Sequence, residues 1–299
     1  MLFFNREKKR KKAFTLSELL VTMLILGLVA GATLVVLFVF FENFSQSDEL
    51  TSARQNAEMV ATIVGKSILG AGLGMPVSSS DFSASFNGNT VASWNGPIHF
   101  QGNASEGDFL EVAYAIPSSR TATQEYVLAP GTFNFNLTSG DSIDSSKVTK
   151  TDKTKITNWV VFPTLALPLS VQDFTPDSVS AKAINAGTVS FFDELHFVRA
   201  TKYSLNTTTG EFLVDDEVAS GTTKPMARVE GIGGLYFRFD SSRRILTMWV
   251  LARGNVRHDE LISPSSLPEW TAVSSDIPNA AENRHFRLTV LQTSWRVRN

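Results

Sequence analysis

Glu18 is the residue whose setting most demands chemistry. It directly precedes residues 19–41, a run of 23 residues without Asp, Glu, Lys or Arg. As a helix that run spans roughly 35 Å at 1.5 Å per residue, against a hydrocarbon core of about 30 Å. A carboxylate on such a helix costs on the order of 2.5–3.5 kcal/mol at the bilayer centre and less toward the interface, so Glu18 is expected to hold a partner or a task. Just upstream lie Arg6, Lys8, Lys9, Arg10, Lys11 and Lys12, opposed only by Glu7. That basic cluster predicts a cytoplasmic N-terminus, with the rest of the chain across the membrane.

Elsewhere the sequence holds no set of residues that chemistry would require together. It has no Cys, which removes disulfides, thiolate metal sites and a cysteine nucleophile. His99, His196, His258 and His285 are scattered, none in H-E-x-x-H spacing, and read as surface or strand residues. No G-x-S-x-G elbow is present. Gly231-Ile232-Gly233-Gly234 is glycine-rich, but strand-like runs flank it and no helix follows, so it reads as a turn or bulge rather than a phosphate loop. Asp215-Asp216-Glu217 lacks the alternating oxygen ligands and glycine of a calcium loop and reads as a solvated turn. No enzymatic activity, metal or cofactor is expected.

Net charge is −2; without residues 1–13, which hold six basic residues and one acidic, 21 basic and 28 acidic remain, a formal −7. A mildly acidic chain has no electrostatic footprint for nucleic acid.

The elements that must position these residues follow from hydrophobic pattern. With 299 residues, 43% hydrophobic and 19% charged, the chain is long enough for a sizeable core, although much of its apolar content sits near the start. A secretory signal has an apolar region of only about 7–15 residues. Here the pattern outlasts that and turns amphipathic, with Phe44, Leu50, Ala53, Ala57, Val60, Val64, Ile68 and Ala71 at three- and four-residue steps. Gln46, Asp48, Glu49, Arg54, Gln55, Glu58 and Lys66 are assigned to the other faces. One helix from about Phe14 to Leu69 is predicted, ended by Gly70, Gly72, Gly74 and Pro76. Gly27 and Gly31, spaced as G-x-x-x-G, permit close helix approach in lipid, although glycine is common in membrane helices anyway.

Beyond Pro76, residues 77–107 are rich in Ser, Asn and Gly and read as loops with short strands. Alternation then predicts strands in 108–116, 132–137, 156–162, 188–200, 235–240, 245–251 and 286–297. Phe133, Phe135 and Leu137 share one face, as do Leu235, Phe237 and Phe239, and Phe286, Leu288 and Val290. The expected class is α+β, a long N-terminal helix whose second half packs on a C-terminal antiparallel β-sheet head.

Lys11-Lys12-Ala13-Phe14-Thr15-Leu16-Ser17-Glu18-Leu19 resembles the class III signal of type IV prepilins: a basic leader, a small residue, phenylalanine, then glutamate fifth after the cut. Ala13 stands where glycine is usual and Ser17 where an aliphatic residue is usual. The resemblance implies that a membrane-embedded prepilin peptidase cuts between Ala13 and Phe14 and methylates the new Phe14 amine. The divisions are then a leader at 1–13, a helix at 14–72 and a β-rich head at 73–299, with 286 of the 299 residues retained. An ammonium created at Phe14 would seek the Glu18 carboxylate of a neighbouring subunit, a pair that sets register more than it adds net stability. A plain single-pass anchor with a stray glutamate is the alternative.

Ile68-Leu69-Gly70-Ala71-Gly72, Gly234-Leu235-Tyr236-Phe237-Arg238-Phe239, the run 245–251, and Phe286-Arg287-Leu288-Thr289-Val290 with Arg298-Asn299 are similar to PilW-type minor pilins and to J-type pseudopilins of type II secretion. Ser294-Trp295-Arg296-Val297 departs from the usual closing strand. This resemblance implies a minor pilin of a type IV pilus that helps initiate or cap the filament, or a J-type pseudopilin, or a filament-borne adhesin. Its implied partners are other pilin or pseudopilin subunits, the prepilin peptidase, an inner-membrane assembly platform and a cytoplasmic ATPase. Its implied location is the inner membrane as a single-pass precursor, then a pilus, the periplasm or the cell surface.

Overall fold

The computed structural model describes residues 15–101, 104–138, 143, 147–219 and 224–298. The basic residues Lys8, Lys9, Arg10, Lys11 and Lys12 and the cut residues Ala13 and Phe14 lie outside them. The chain divides into two compact units, Met1–Asp48 and Glu49–Asn299.

From Leu16 on the first unit is helical. Helix α1, Leu16–Gly70, is one continuous element, and its part within this unit has apolar side chains on every face. A helix apolar all round has no preferred face in water and is suited to lipid or to a bundle of like helices. Its two threonines do not break it, because Thr22 Oγ1 donates to the Leu19 carbonyl at 2.9 Å and Thr33 Oγ1 to the Val29 carbonyl at 2.8 Å. Those local bonds satisfy the hydroxyls without water.

The second unit starts with the rest of α1 and continues as a β-rich head. Its strands are β1 Ile98–His99, β2 Glu106–Gly107, β3 Leu110–Thr121, β4 Tyr126–Leu128, β5 Gly131–Asn136, β6 Trp159–Val161, β7 Leu169–Thr175, β8 Ser178–Ala183, β9 Gly187–Val189, β10 Glu194–Asn206, β11 Glu211–Asp215, β12 Met226–Val229, β13 Ile232–Asp240, β14 Ile245–Arg253 and β15 Leu288–Arg296. A nine-stranded sheet runs β1-β3-β10-β6-β7-β8-β5, with β11 joined to β10 and β12 to β11. A four-stranded sheet runs β15-β14-β13-β2, and β4 pairs with β9. Every pairing among the described strands is antiparallel. The expectation of one sheet thus resolves into two larger sheets and the β4–β9 pair, and α1 packs on both larger sheets.

Ala53, Ala57, Val60, Val64, Ile68 and Ala71, six of the eight positions read as an apolar stripe, are fully buried. They meet Leu110, Val112 and Phe212 of the larger sheet and Leu235, Phe237 and Met248 of the smaller. Each buried Val or Ile contributes roughly 1.5–3 kcal/mol relative to exposure. Phe44 and Leu50, the other two, stay exposed. The helix ends where expected. Gly70 abuts the Ala115 carbonyl, which a Cβ there would meet at 2.7 Å, and Gly72 and Gly74 follow with φ of 74° and 69°.

Four strand and loop expectations change. Residues 77–107 hold helix α2, Ser79–Ser85, capped by Ser78, whose hydroxyl accepts from Asp81 N at 3.1 Å, and a 3-10 turn at Thr90–Trp94 capped by Asn89. Serines that read as loop there act as a helix N-cap. The run 188–200 is broken between β9 and β10, where Phe192 sits at φ 64° and the Asp193 carboxylate accepts Thr164 N at 3.0 Å. The run 156–162 begins with a 3-10 turn, Ile156–Asn158, because Asn158 Nδ2 donates to the carbonyls of Thr149 and Val171. Residues 286–287 precede β15. Leu288 and Val290 do share a face, but it is the one turned from α1, packed with Trp249, Trp270 and Ile277. Two short helices, α3 Pro268–Thr271 and α4 Ala280–Asn283, belong to the segment that covers that face.

Candidate assembly site

The first turn of α1 is built by the residue that drew attention in the sequence. Thr15 N donates to Glu18 Oε2 at 2.9 Å, Thr15 Oγ1 donates to the same oxygen at 3.0 Å, and Glu18 N donates back to Thr15 Oγ1 at 3.3 Å. This is a capping box: the side chains of the cap residue and of the glutamate three positions on satisfy each other's backbone N–H groups. Glu18 therefore has a local structural role that the reading from charge and burial missed, although the signal, T-x-x-E before an apolar run, stood in the sequence. Only one carboxylate oxygen is engaged. Oε1 has no hydrogen bond among the described residues.

Downstream of Glu18 the helix offers an uninterrupted apolar surface. Leu20, Leu24, Leu28, Val36, Phe38, Phe41 and Phe44 are each more than half exposed. Gly27 and Gly31 have no atom within 4 Å of an added Cβ, so the small patch they make is open to a close neighbour. The helix is long and apolar enough to cross a membrane.

A second arrangement marks the first residue of the head unit. Glu49, assigned from the sequence to an outward face, is 2% exposed and lies on the same side as Ala53 and Ala57. Its Oε2 lies 3.0 Å from His258 Nε2 and 3.4 Å from Arg287 Nε, the latter an ion pair without hydrogen-bond alignment. Gly254 leaves the room, since a Cβ there would stand 3.1 Å from Glu49 Cβ. The two partners are held in turn by paired backbone: His258 N donates to the His285 carbonyl at 2.9 Å and Gly254 N to the Arg287 carbonyl at 2.8 Å. His258 is thus not an idle strand histidine.

The remaining candidates have structural settings. His99 stacks on Trp94, with ring centroids 5.7 Å apart, and His196 Nδ1 lies 2.9 Å from the Glu194 carbonyl. Among the described residues no three His, Cys, Asp or Glu are grouped to hold a metal. Gly231-Ile232-Gly233-Gly234 is a bulge at the start of β13, where the register slips and the Trp270 ring would lie 2.6 Å from a Cβ at Gly234. Asp215 does sit at a turn, but it is buried, and its Oδ1 accepts Glu217 N at 3.0 Å and Lys224 N at 3.2 Å, so the carboxylate serves the loop and not solvent.

Fold and segment together define an α+β protein carried on an N-terminal helix suited to a membrane. Residues 8–39 match the family model described as the prokaryotic N-terminal methylation motif, which supports the type IV pilin-like superfamily for this chain. Comparison with curated proteins and with solved structures finds no match.

Proposed function

We propose that the chain is a minor pilin of a type IV pilus, a structural subunit that helps initiate or cap the filament. The observation that carries this reading is the motif match over residues 8–39 running into a helix whose apolar surface is uncovered as far as Phe44. In this reading the prepilin peptidase cuts between Ala13 and Phe14 and methylates the Phe14 amine, separating a leader at 1–13 from a helix at 14–72 and a head at 73–299. Glu18 then receives the amine of the adjoining subunit through the oxygen its own cap leaves open. An isolated charge in that apolar setting is costly and a hydrogen-bonded pair much less so, so the pair fixes register between helices. Gly27 and Gly31 let those helices approach. The partners are other pilin subunits, the inner-membrane platform and the cytoplasmic ATPase. The precursor resides in the inner membrane and the mature chain in the pilus at the cell surface. The likeness of the runs 68–72, 234–239, 245–251 and 286–290 to PilW-type minor pilins supports the minor-pilin role.

The test is mass spectrometry of the mature N-terminus from peptidase-positive cells, with methylated Phe14 expected. A chain still starting at Met1 removes the processing claim, and normal filament incorporation of Glu18→Ala removes the role given to Glu18. Deletion is expected to abolish surface filaments. Filaments kept with export of secreted proteins lost would transfer the chain to the J-type pseudopilins, and filaments kept with attachment lost would make it an adhesin.

A further inference from the structure

The head carries a cleft that neither the processing signal nor the apolar helix uses. It encloses about 820 Å³ beside the end of α1, with Ile63, Leu69 and Ile116 on its apolar side and Lys66, Arg228 and Arg298 also lining it. A second hollow of about 550 Å³ shares Tyr114, Ile116 and Asp216 with it and adds Lys155, Arg199 and Glu217. Five cations thus face two acids on a chain whose charge without residues 1–13 is −7. Of these cations, only Arg228 has an ion pair among the described residues, with Asp216 at 3.9 Å. Arg199 spends its guanidinium on the carbonyls of Val198 and Lys147. The apolar side is uncovered as well, with Leu69 62% and Ile116 39% exposed. Apolar walls with a few convergent charges are the usual make-up of a binding site.

The same chain displays a segment of the opposite kind. Leu37, Phe41, Phe44 and Asp48 follow one another at steps of four, three and four residues and share one stripe of α1. Phe44 is 64% exposed and Asp48 is exposed. Residues 19–41 already exceed the thickness of the hydrocarbon core, so Phe44 and Asp48 fall beyond it, an aromatic ring and an acid in water. We propose that the cleft receives the Phe44–Asp48 turn of a second copy of this chain, with Phe44 against Ile63, Leu69 and Ile116 and Asp48 paired with Arg228 and Arg298. The inference rests on the filament-subunit reading and names a contact between head and helix within the assembly.

The absence of cysteine makes the test clean. Two full-length variants with different tags, Ser45→Cys and Ile116→Cys, are produced together in peptidase-positive cells and oxidised. A disulfide-linked heterodimer is expected, at least ten-fold above that formed when Val127→Cys, 75% exposed on β4, replaces Ile116→Cys. Adding Asp48→Lys to one chain, or Arg228→Glu and Arg298→Glu to the other, is expected to cut the yield about ten-fold, and combining them to restore it. A yield at Ile116→Cys no higher than at Val127→Cys, or one indifferent to charge reversal, in chains that mass spectrometry shows to be processed at Phe14 overturns the contact alone. Chains that remain unprocessed overturn the reading beneath it and the contact with it.

Discussion

The two halves of α1 share a backbone and little else. In Leu16–Gly70 the run 19–41 is apolar on all faces and the residues before Glu49 bury almost nothing, whereas those from Glu49 on bury one stripe completely and present Arg54, Glu58 and Lys66 outward. The difference teaches that helix formation and helix placement are separate problems. Propensity and capping suffice for the first, but the earlier half stays exposed among the described residues, while the later half packs on β3, β13 and β14.

Charge insertion should break the comparison most sharply. Val64→Asp places an unpaired carboxylate in the core and is expected to abolish folding of the head, measured by protease resistance, whereas Val36→Asp should leave the head intact and cost about 2.5–3.5 kcal/mol of membrane insertion, measured by membrane extraction. Cavity formation comes next: Ile68→Ala should destabilise the head by about 2–5 kcal/mol in denaturant titration, and Leu28→Ala by less than about 0.5 kcal/mol. Removing the buried carboxylate with Glu49→Ala should cost about 1–3 kcal/mol, because His258 loses its hydrogen-bond partner and Arg287 its ion-pair partner, while both remain partly solvated. At the other end, Thr15→Val removes half of the capping box and should cost about 1 kcal/mol of helix stability, seen as faster amide exchange in the first turn and no change in the head.

The smallest effect is alkaline. The Tyr203 hydroxyl donates to Ser67 Oγ at 2.9 Å on the buried half of the helix, and burial pushes its pKa well above that of an ordinary tyrosine. Because the folded state holds this proton more tightly than the unfolded state, the contribution to stability is complete below about pH 10 and falls as pH rises beyond it. Tyr203→Phe should flatten that decline in denaturant titrations at pH 8 and pH 11.

Local signals were legible and distant ones were not. The glycines and proline after Leu69 announced the end of α1, and alternation located β13 and β14 to within three residues at each end, because both depend on neighbours in sequence. The Thr15-to-Glu18 cap is equally local, since T-x-x-E before an apolar run is a capping-box pattern in the sequence itself. Glu49 could not have been placed by pattern, since it is a charged residue whose partner His258 lies 209 positions away. The split into separate sheets was hidden for the same reason: β10 pairs with β3, β6 and β11, and nothing in its own residues says which strand will lie on either side.

The geometry of the first turn bears on how subunits would join. Thr15 holds one oxygen of the acid through its amide and its hydroxyl, so on the filament reading a monomer in the bilayer would not be burdened with a bare anion. On that reading the other oxygen would accept the arriving ammonium while the turn stays wound. On the filament reading, docking therefore begins from an acceptor already aimed, and the ordering it requires has been met within each monomer before its neighbour comes.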